Sequence, residues 1–434
     1  MKTKVIIVGG GAAGLACAQA LHNSEIEYHL YEARNYLGGR AHSKTLSSGL
    51  HVELGAEFIH GKPHPLVEKI CTASSLPFVD VDDHHLYFNG KKLEGRHTFF
   101  ERIEKISRRL RENRKHDQSV SAFIQKLGNR FSGDERKLFQ SYVEGFHAAD
   151  PEKMSERALA VSEKSEAPRL TGVRQFRLSK GYSTLFSELS RNLPHIHLSH
   201  CLKNISWDEK SVICHFQQKS GRMIRVNAEA LVLTVPPSIL KSRAGRASFT
   251  ITPEISSLNE ALEAIDMGAV YRLAFLFKSR FWEELSDKPF SFLHGGPQDY
   301  FPTWWAETPL HLPLLIAWQG GPKAQKMKSW SAQKRKCTAL QSLSRFTEKS
   351  TSFLESQLQK VYSHDWCQDP FSLGAYSYVK VHETSDWKRL QRAFAKRIFI
   401  AGEATVDGAD RGTVGGAMKS GERAAKQIKR LLAH

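Results

Sequence analysis

The 434-residue sequence lacks a long hydrophobic run. No segment approaches the roughly 18 consecutive apolar residues that a membrane-spanning helix needs. The first apolar run begins close to Met1, which leaves no room for a signal peptide, and the chain ends in KRLLAH, without an apolar tail. We therefore expect a cytoplasmic protein with no membrane anchor.

Cysteine is also scarce and is not arranged in pairs. None of the six cysteines belongs to a C-x-x-C motif, which favours reduced thiols in a cytosolic chain. The sequence has 20 histidines, but the clusters DDHHLYF and LPHIHLSH lack the spacing of metal ligands on a helix. We expect neither disulfides nor a bound metal.

Acidic residues are in deficit. The sequence has 45 of them against 62 lysines and arginines, which gives a net charge of +17. Much of the excess lies between residues 96 and 137, as in RIEKISRRLRENRKH, where Ile and Leu recur at helical spacing. We interpret residues 102–116 as a solvated amphipathic helix and expect no nucleic-acid partner.

The glycines, in contrast, cluster where a buried strand ends. The opening stretch KVIIVGGGAAGLACAQAL predicts a fully buried strand at Val5–Val8 and contains the G-x-G-x-x-G pattern as Gly9, Gly11 and Gly14. Gly9 permits a tight turn, Gly11 lets a pyrophosphate approach the backbone, and Gly14 lets the next helix pack closely on the strand.

A predicted helix at Ala12–Leu21 follows the glycines, and a second strand, EYHLYE, ends in an acid. Glu32 follows Gly14 by 18 residues. A carboxylate there accepts hydrogen bonds from ribose hydroxyls, and the helix N-terminus faces the phosphates. Strand, glycines, helix and acid in this order predict a dinucleotide site.

The residues after Glu32 favour FAD over NAD. A second glycine pair, Gly38 and Gly39, precedes Arg40, whereas a simple NAD-binding domain would continue with another helix and strand. An arginine there can make charge-assisted contacts to a pyrophosphate. The two glycines alone would also suit an ordinary turn.

The pattern along the chain predicts an α/β fold with a Rossmann-like FAD-binding domain built from separated segments and an inserted substrate domain of mixed sheet and helix. We assign residues 1–80, 195–245 and 365–434 to the first domain, and residues 81–194 and 246–364 to the second. In the inserted parts we predict helices at DERKLFQSYVEGF and near KCTALQSLSRFTEKS, and strands at VYRLAFLF and LPLLIAWQ.

Several segments together resemble the flavin-containing amine oxidase superfamily, which includes monoamine oxidases, polyamine oxidases and histone lysine demethylases. The similar segments are GGGAAGLACAQAL with YEARNYLGGR, VELGAEFIHG, KGYSTLFSEL, CLKNISW with ALVLTVPPSIL, and FIAGEATVDGADRGTVGGAMKSGERAA. The resemblance runs over nearly the whole chain. It implies a flavoenzyme that oxidises amines.

The resemblance also implies a set of cofactor-binding residues. Glu32 would hold the adenosine ribose, Arg40 the pyrophosphate and Glu403 the ribityl chain, with Leu202 and Asn204 on the adenine side. The implied set is Gly9, Gly11, Ala13, Gly14, Glu32, Ala33, Gly39, Arg40, Gly55, Ala56, Glu57, Leu202, Gly402, Glu403, Gly412, Thr413 and Val414. The helix beginning near Val414 would turn its positive end toward the flavin pyrimidine.

The segment SLGAYSYVK departs from one branch of that family. Monoamine oxidases carry there a cysteine that bonds to the flavin, and this chain has Ala375, so FAD should be held without a covalent bond. Tyr376 and Tyr378 match tyrosines that face the substrate in different branches, although both also fit an ordinary strand pattern. Trp366 matches a position near the flavin.

A second departure is Arg272, where the family often has a lysine that holds a water at flavin N5. Arginine could orient a water, bind a substrate carboxylate or simply pair with an acid. Glu57 and His60 match substrate-side positions of polyamine oxidases, or could be supporting residues. The candidate catalytic residues are Arg272, Tyr376, Tyr378, Trp366, His60 and Glu57.

The sequence also offers further candidate lining groups. Asp407, Asp410 and Thr413 would offer an acidic lining to an ammonium group, which a +17 chain otherwise disfavours. Trp304 and Trp305 could line the pocket, but core filling is the simpler interpretation. We expect a monomer or homodimer.

The implied reaction converts a small amine or polyamine to an imine and reduces O₂ to hydrogen peroxide. Two alternatives stay open. One is a related flavin oxidase or desaturase that acts on a non-amine substrate. The other is a flavin-binding protein whose main role is partner binding through the basic helical insert.

Overall fold

The computed structural model describes residues 1–82, 84–95, 97–170, 175–382 and 386–433. Its strands, in chain order, are β1 (Lys2–Val8), β2 (Tyr28–Tyr31), β3 (Ser43–Thr45), β4 (His51–Glu53), β5 (Phe58–His60), β6 (Phe78–Val81), β7 (His85–Phe88), β8 (Leu93–Gly95), β9 (Gln175–Leu178), β10 (Ile196–His197), β11 (His200–Trp207), β12 (Val212–Gln218), β13 (Met223–Leu233), β14 (Thr250–Thr252), β15 (Ile265–Met267), β16 (Val270–Phe277), β17 (Phe292–His294), β18 (Thr303–Glu307), β19 (Leu312–Gly320), β20 (Leu358–Tyr362), β21 (Ser377–Val379) and β22 (Ile398–Ile400).

The α-helices are α1 (Ala12–His22), α2 (Pro65–Ala73), α3 (His97–Ser107), α4 (Val120–Lys126), α5 (Gly133–Phe146), α6 (Glu156–Leu170), α7 (Gly181–Ser190), α8 (Pro237–Lys241), α9 (Ser256–Glu263), α10 (Gly321–Lys326), α11 (Ala332–Thr347), α12 (Thr351–Gln357) and α13 (Val414–Leu432). Short 3-10 helices lie at Gly128–Arg130, Phe281–Leu285, Met327–Ser329, Trp387–Gln391, Glu403–Thr405 and Gly408–Asp410.

The first sheet carries the glycine-rich opening of the chain at its centre. Its strand order is β10-β2-β1-β13-β12-β11-β14, with β22 also paired to β13. β1 runs parallel to both β2 and β13, and Val5, Ile6 and Ile7 are completely buried. The predicted strand at Val5–Val8 and helix at Ala12–Leu21 are therefore confirmed.

Helix α1 packs against α13, far along the chain, at very close range. A Cβ on Gly421 of α13 would lie 2.1 Å from the carbonyl oxygen of Ala13, so only a glycine allows this approach. The packing brings the end of the described chain over the opening β-α unit. Residues predicted to bind one cofactor from both ends of the sequence thereby become neighbours.

The second large sheet is almost entirely antiparallel, in the order β20-β16-β19-β18-β17-β7-β8. The strands predicted at VYRLAFLF and LPLLIAWQ are β16 and β19, which pair directly with each other. The helices predicted at DERKLFQSYVEGF and near KCTALQSLSRFTEKS are α5 and α11. A three-stranded sheet, β5-β9-β6, lies beside them, and β15 pairs with β21.

The predicted domain boundaries and the sheets differ in one region. The division placed residues 246–364 in the substrate domain, whereas β14 pairs with β11 of the first sheet. The apolar side chains of α9 pack in the same core as β1 and β13. After β13, the chain returns to the second large sheet only at β16.

The basic stretch at residues 102–116 is only partly helical, which corrects the predicted helix. α3 ends at Ser107 because the following residues are held by another segment. The backbone N–H of Arg111 and the guanidinium of Arg114 both bind the carboxylate of Glu156, the latter at 2.6 Å. Leu110 is buried in the helical core rather than solvated.

Histidines stack at one edge of the first sheet. The Nδ1 of His29 and the Nε2 of His197 are 2.8 Å apart, and the rings of His29 and His195 stack with centroids 4.4 Å apart. Burial, followed by the neighbouring His195 and His197, lowers the pKa of His29 to about 4. The folded protein thus resists a proton that the unfolded chain accepts near pH 6.5.

We predict that the free energy of unfolding decreases as the pH falls from about 6.5 to about 4, because the unfolded state binds the extra proton in that window. His29→Phe, which retains an aromatic ring, should show a smaller decrease than the wild type. His22→Phe at the exposed end of α1 is the control. Urea unfolding at each pH measures the effect, and parallel wild-type and His29→Phe curves would contradict it.

Within the described residues, we find no helix with the length and apolar character required to cross a membrane.

Candidate active site

A cavity of about 500 Å³ lies between the first sheet and the second large sheet. Its wall includes the loop after β1, the segment between β4 and β5, the end of α5, strands β16–β19 and the start of α13. Volume and mixed lining are typical of a cofactor and substrate site.

The glycines at one end of the cavity differ in what surrounds them. Gly9 has a φ of +106°, which an L side chain rarely adopts. A Cβ on Gly14 would lie 1.9 Å from the carbonyl oxygen of Gly9, whereas a Cβ on Gly11 would meet nothing within 4 Å. Gly14 is thus a packing residue, and Gly11 borders open cavity.

Glu32 ends β2 beside these glycines and is oriented by the backbone. Its carboxylate accepts hydrogen bonds from the N–H of Gly10 at 2.6 Å and of Arg34 at 2.7 Å. Burial raises the pKa of Glu32, while Arg34 and the backbone donors oppose that shift. A fixed carboxylate at this position suits a ribose.

Arg40 and Glu403 join the two ends of the sequence. Nη1 of Arg40 donates to Oε1 of Glu403 at 3.0 Å and to the carbonyl of Ala375 at 2.5 Å. Oε2 of Glu403 accepts from the hydroxyl of Ser377 at 2.7 Å. These contacts hold the residues predicted to meet the pyrophosphate and ribityl chain on one wall.

The N-terminus of α13 reaches the cavity through Gly412, Thr413 and Val414. Thr413 caps this helix, since its Oγ1 accepts from the N–H of Gly416 at 2.9 Å. The guanidinium of Arg411 lies nearby, and its Nη2 is buried with no hydrogen-bond partner among the described residues. A positive helix end and an unpaired donor both suit an anionic or carbonyl-bearing group.

The residues present therefore fit a dinucleotide flavin. Open space beside Gly11 and Gly402, the fixed carboxylate of Glu32 and the unpaired Nη2 of Arg411 all border one cavity. That cavity continues from the dinucleotide end to aromatic side chains at the other end.

A buried ionic cluster forms another part of the wall, centred on Glu57. Arg272 donates to Oε2 of Glu57 at 2.5 Å, and Arg177 lies 3.1 Å from its Oε1. The indole N–H of Trp305 donates to the same carboxylate at 3.0 Å, and Arg177 also pairs with Glu307 at 2.5 Å. We name these residues, Glu57, Arg177, Arg272, Trp305 and Glu307, the Glu57 cluster.

The cluster decides among the alternatives for Arg272. Its Nη1 donates to the carbonyl of Glu53 and its Nη2 to Glu57, so the arginine pairs with an acid. Burial would raise the pKa of Glu57, but Arg177 and Arg272 outweigh burial and lower it. Burial raises the pKa of Glu307 to about 8 and that of Glu53 to about 7.

Aromatic residues surround the opposite end of the cavity, where α5 ends. The hydroxyl of Tyr376 donates to the carbonyl of Phe146 at 2.7 Å, and the indole N–H of Trp318 donates to the carbonyl of Gly145 at 2.9 Å. The rings of Tyr376 and Trp318 stack at 6.4 Å, and Phe146 is 43% exposed. We name Phe146, Trp318 and Tyr376 the aromatic collar.

The other predicted catalytic residues lie on the same wall in different settings. Trp366 is buried, and its indole N–H donates to the carbonyl of Leu54 at 2.8 Å. The ring of His60 lies 6.5 Å from that of Phe146. Tyr378 borders the cavity, but its hydroxyl is directed to Asp266 at 3.3 Å and its ring packs in the helical core.

The structure brings nearly all the predicted residues to this one cavity. Gly14 lies behind the wall, as its packing role requires, and Asn204 instead donates to the hydroxyl of Thr250 at 2.7 Å. Asp410 is not part of the lining, because it pairs with Lys419 at 2.7 Å, whereas Asp407 and Thr413 do line it.

Trp305 corrects the simpler interpretation of the tryptophan pair. Trp304 fills the core with no exposed surface, but Trp305 lines the cavity and bonds Glu57. Neighbouring residues on a strand point to opposite faces, which explains the difference.

Sequence reasoning missed Arg177, Glu307, Gln175 and Trp318. Each lies on a strand outside the quoted family-like segments, so only their pairing partners show their role. A buried charged residue inside an apolar strand pattern, such as Arg177 in QFRL, was the available signal.

A family model described as flavin containing amine oxidoreductase matches residues 12–429. Lysine-specific histone demethylase 1 homolog 2 of Arabidopsis thaliana is 26% identical over 446 residues, which cover 98% of this chain and 58% of that protein. Polyamine oxidase 2 of Arabidopsis thaliana is 25% identical over 461 residues, which cover 99% of this chain and 89% of that protein. The chain thus spans little more than half the length of the first relative.

Solved structures share the fold. Putrescine oxidase bound to putrescine superposes with a TM-score of 0.81 at 18% identity, covering 99% of both chains. Cyclohexylamine oxidase from Brevibacterium oxydans IH-35A superposes with a TM-score of 0.83 at 18% identity, covering 100% of both chains. The predicted α/β fold class is confirmed.

Proposed function

Because the chain belongs to the flavin-containing amine oxidoreductase family, we propose that it binds FAD without a covalent bond and oxidises a C–N bond of a small amine to an imine, with O₂ reduced to hydrogen peroxide. The observation that carries the proposal is one continuous cavity with a dinucleotide end and an aromatic end. Family membership implies a flavin cofactor. The fixed carboxylate of Glu32 suits an adenosine ribose, which supports FAD as that flavin.

The cofactor would be held along the wall that the two ends of the sequence share. Glu32 and Gly11 would receive the adenosine and pyrophosphate portions, and Arg411 with the start of α13 would face the isoalloxazine. When bound, the flavin supplies the electron acceptor for the C–H bond next to nitrogen. The positive end of α13 favours negative charge there.

The aromatic collar would prepare the amine. Oxidation requires a neutral nitrogen, and a dry aromatic wall disfavours the ammonium form by desolvation. Tyr376 and Trp318 are fixed by their bonds to carbonyl groups at the end of α5, so their ring faces are held in place. The wall needs no additional base if the amine loses its proton on entry.

The names of related proteins support an amine substrate in general terms. They include polyamine oxidases, lysine-specific histone demethylase homologs, a putrescine oxidase and a cyclohexylamine oxidase. These substrates range from polycations to a cyclic monoamine, so the names alone do not select one.

The test is a visible spectrum of the purified protein before and after anaerobic addition of mixed mono- and polyamines. We expect a flavin spectrum that bleaches with amine and recovers when air is admitted, with peroxide formed. If the bound flavin stays oxidised with every amine, the result favours an enzyme with a non-amine substrate or a flavin-binding protein that mainly binds a partner. A colourless protein that cannot be reconstituted with FAD would overturn the cofactor assignment.

Acid precipitation tests the mode of attachment. Because Ala375 offers no thiol to the flavin, we predict that the yellow colour moves completely to the supernatant. The measurement is the absorbance of supernatant and redissolved pellet, with a free FAD standard as control. Flavin retained on the denatured chain would contradict non-covalent binding.

A further inference from the structure

The wall of the cavity is balanced in charge among the residues that the structure describes. It contains equal numbers of carboxylates and arginines, namely Glu32, Glu57, Glu403 and Asp407 against Arg34, Arg40, Arg272 and Arg411. A polyamine carries two or more positive charges, and each would need a carboxylate to offset its loss of water. A polyamine would therefore need a carboxylate in this wall that is not already paired with another group of the protein.

The described carboxylates are already engaged. Glu32 and Glu403 lie at the cofactor end with the partners given above. Asp407 accepts the N–H of Gly408 at 2.9 Å and lies 3.5 Å from Lys388. Glu57, the one that borders the substrate end, is engaged by two arginines, Arg177 and Arg272.

One further carboxylate lies behind the substrate end rather than in its wall. Glu163 accepts hydrogen bonds from Tyr142 at 2.9 Å and from Ser107 at 2.6 Å, and His147 lies 3.2 Å away. Burial would raise its pKa, but His147, Ser107 and Tyr142 outweigh burial and lower it. Tyr142 and His147 separate this charge from the cavity.

The histidines of the wall add no negative charge either. Nδ1 of His85 lies 2.9 Å from Nε2 of His294, and both rings border the cavity. Burial, followed by His85, lowers the pKa of His294 well below its usual range. The side of the cavity formed by β7 and β17 is partly aromatic and contributes no carboxylate among the described residues.

Gln175 is the neutral polar side chain of this wall that the protein leaves incompletely bonded. It lies at the start of β9, opposite His60 of β5 and two residues from Arg177. Its amide oxygen is buried and has no hydrogen-bond partner among the described residues. An amide can present either oxygen or nitrogen by a half-turn, so it can bond a neutral group on a ligand.

We infer that the substrate carries a single amino group on an apolar or aromatic body, and that the part of the wall at Gln175 receives the uncharged end of that body. The inference rests on the proposed function and narrows it. A second ammonium would lie against the wall near Gln175 and the arginines of the Glu57 cluster, without a free counter-ion among the described residues. An uncharged end of the substrate needs no counter-ion there.

The experiment compares hexylamine with hexamethylenediamine, which have the same carbon chain and differ by one ammonium group. Stopped-flow reduction of the flavin under anaerobic conditions gives the dissociation constant and the reduction rate separately. We expect the monoamine to have the higher ratio of reduction rate to dissociation constant by at least about tenfold, mainly through tighter binding.

Matched variants test the residue. Gln175→Glu adds a carboxylate of the same shape, and Gln175→Met removes the polar group at similar length. We expect Gln175→Glu to shift the diamine-to-monoamine ratio toward the diamine by about tenfold, and Gln175→Met to leave that ratio within about threefold of the wild type.

Arg177 could neutralise a new glutamate at position 175, so a second pair is needed. Ser141 of α5 borders the same cavity, and Ser141→Asp with its control Ser141→Asn places the charge on a different element. A merely structural effect would change both amines alike, whereas the inference requires their ratio to change.

The outcomes separate the two proposals. Flavin bleached preferentially by hexylamine in the wild type, with a ratio that follows the added charge, supports the inference. Flavin bleached equally or preferentially by the diamine overturns the inference and leaves the proposed function standing. Flavin bleached by neither amine nor by any other amine overturns both.

Discussion

Replacing Glu57 by glutamine is expected to destabilise the protein by about 3–5 kcal/mol, because it leaves Arg177 and Arg272 buried without their shared carboxylate. All three side chains are almost completely buried. A glutamine can still accept hydrogen bonds, but it cannot compensate two guanidinium charges in a low-dielectric interior. Urea unfolding at pH 7, followed by circular dichroism, measures the shift in midpoint.

Glu307→Gln is the matched control within the same cluster. Among the described residues, Glu307 pairs with Arg177 alone, and Arg177 keeps Glu57 as a second carboxylate partner. We expect a loss of about 1–3 kcal/mol, smaller than for Glu57→Gln. If the two substitutions destabilise equally, Glu57 is not the charged centre of the cluster.

Gly11→Ala is expected to weaken FAD binding by about tenfold to a hundredfold while leaving the apoprotein nearly as stable as the wild type. A Cβ at this position meets no atom within 4 Å and extends into the cavity. It would block approach of the pyrophosphate and cost about one hydrogen bond to a charged group, worth about 1.5–3 kcal/mol.

Gly14→Ala, the same chemical change three residues later, should behave in the opposite way. Its Cβ would lie 1.9 Å from the carbonyl oxygen of Gly9, which is backbone and cannot rotate away. We expect the apoprotein itself to lose about 1–3 kcal/mol or more through overpacking.

Thermal unfolding without cofactor and fluorescence titration with FAD measure the two effects independently. If Gly11→Ala binds FAD with wild-type affinity, the pyrophosphate does not lie against Gly11. An undamaged Gly14→Ala apoprotein would contradict the close packing of α1 on the turn after β1.

The family and the enzyme class were predictable because short, local patterns encode them. The resemblance is confirmed by the family model over residues 12–429. Gly9, Gly11 and Glu32 stand at fixed spacings within one β-α-β unit, so a linear sequence predicts that they lie together, and all three line one cavity. The same holds for Gly412 and Thr413 at the start of α13, where a capping residue precedes a helix.

The substrate end was less predictable because pairing between distant strands creates it. Glu57 and Arg272 were singled out, but their partner Arg177 becomes visible only when β9 lies beside β5. Residues 102–116 show the same limit. Their Ile and Leu residues recur at helical spacing, but the helix ends at Ser107. Glu156 then binds Arg111 and Arg114 in the chain that follows.

The packing of α1 on α13 has a consequence for how the protein is made. A ribosome delivers β1 and α1 first, their partner β13 follows about midway, and β22 and α13 emerge only about 380 residues or more after α1 began. Until then, the buried surfaces of Leu15, Cys17 and Leu21 lack the cover that α13 provides. We expect nascent chains to depend on chaperones until α13 has left the ribosome.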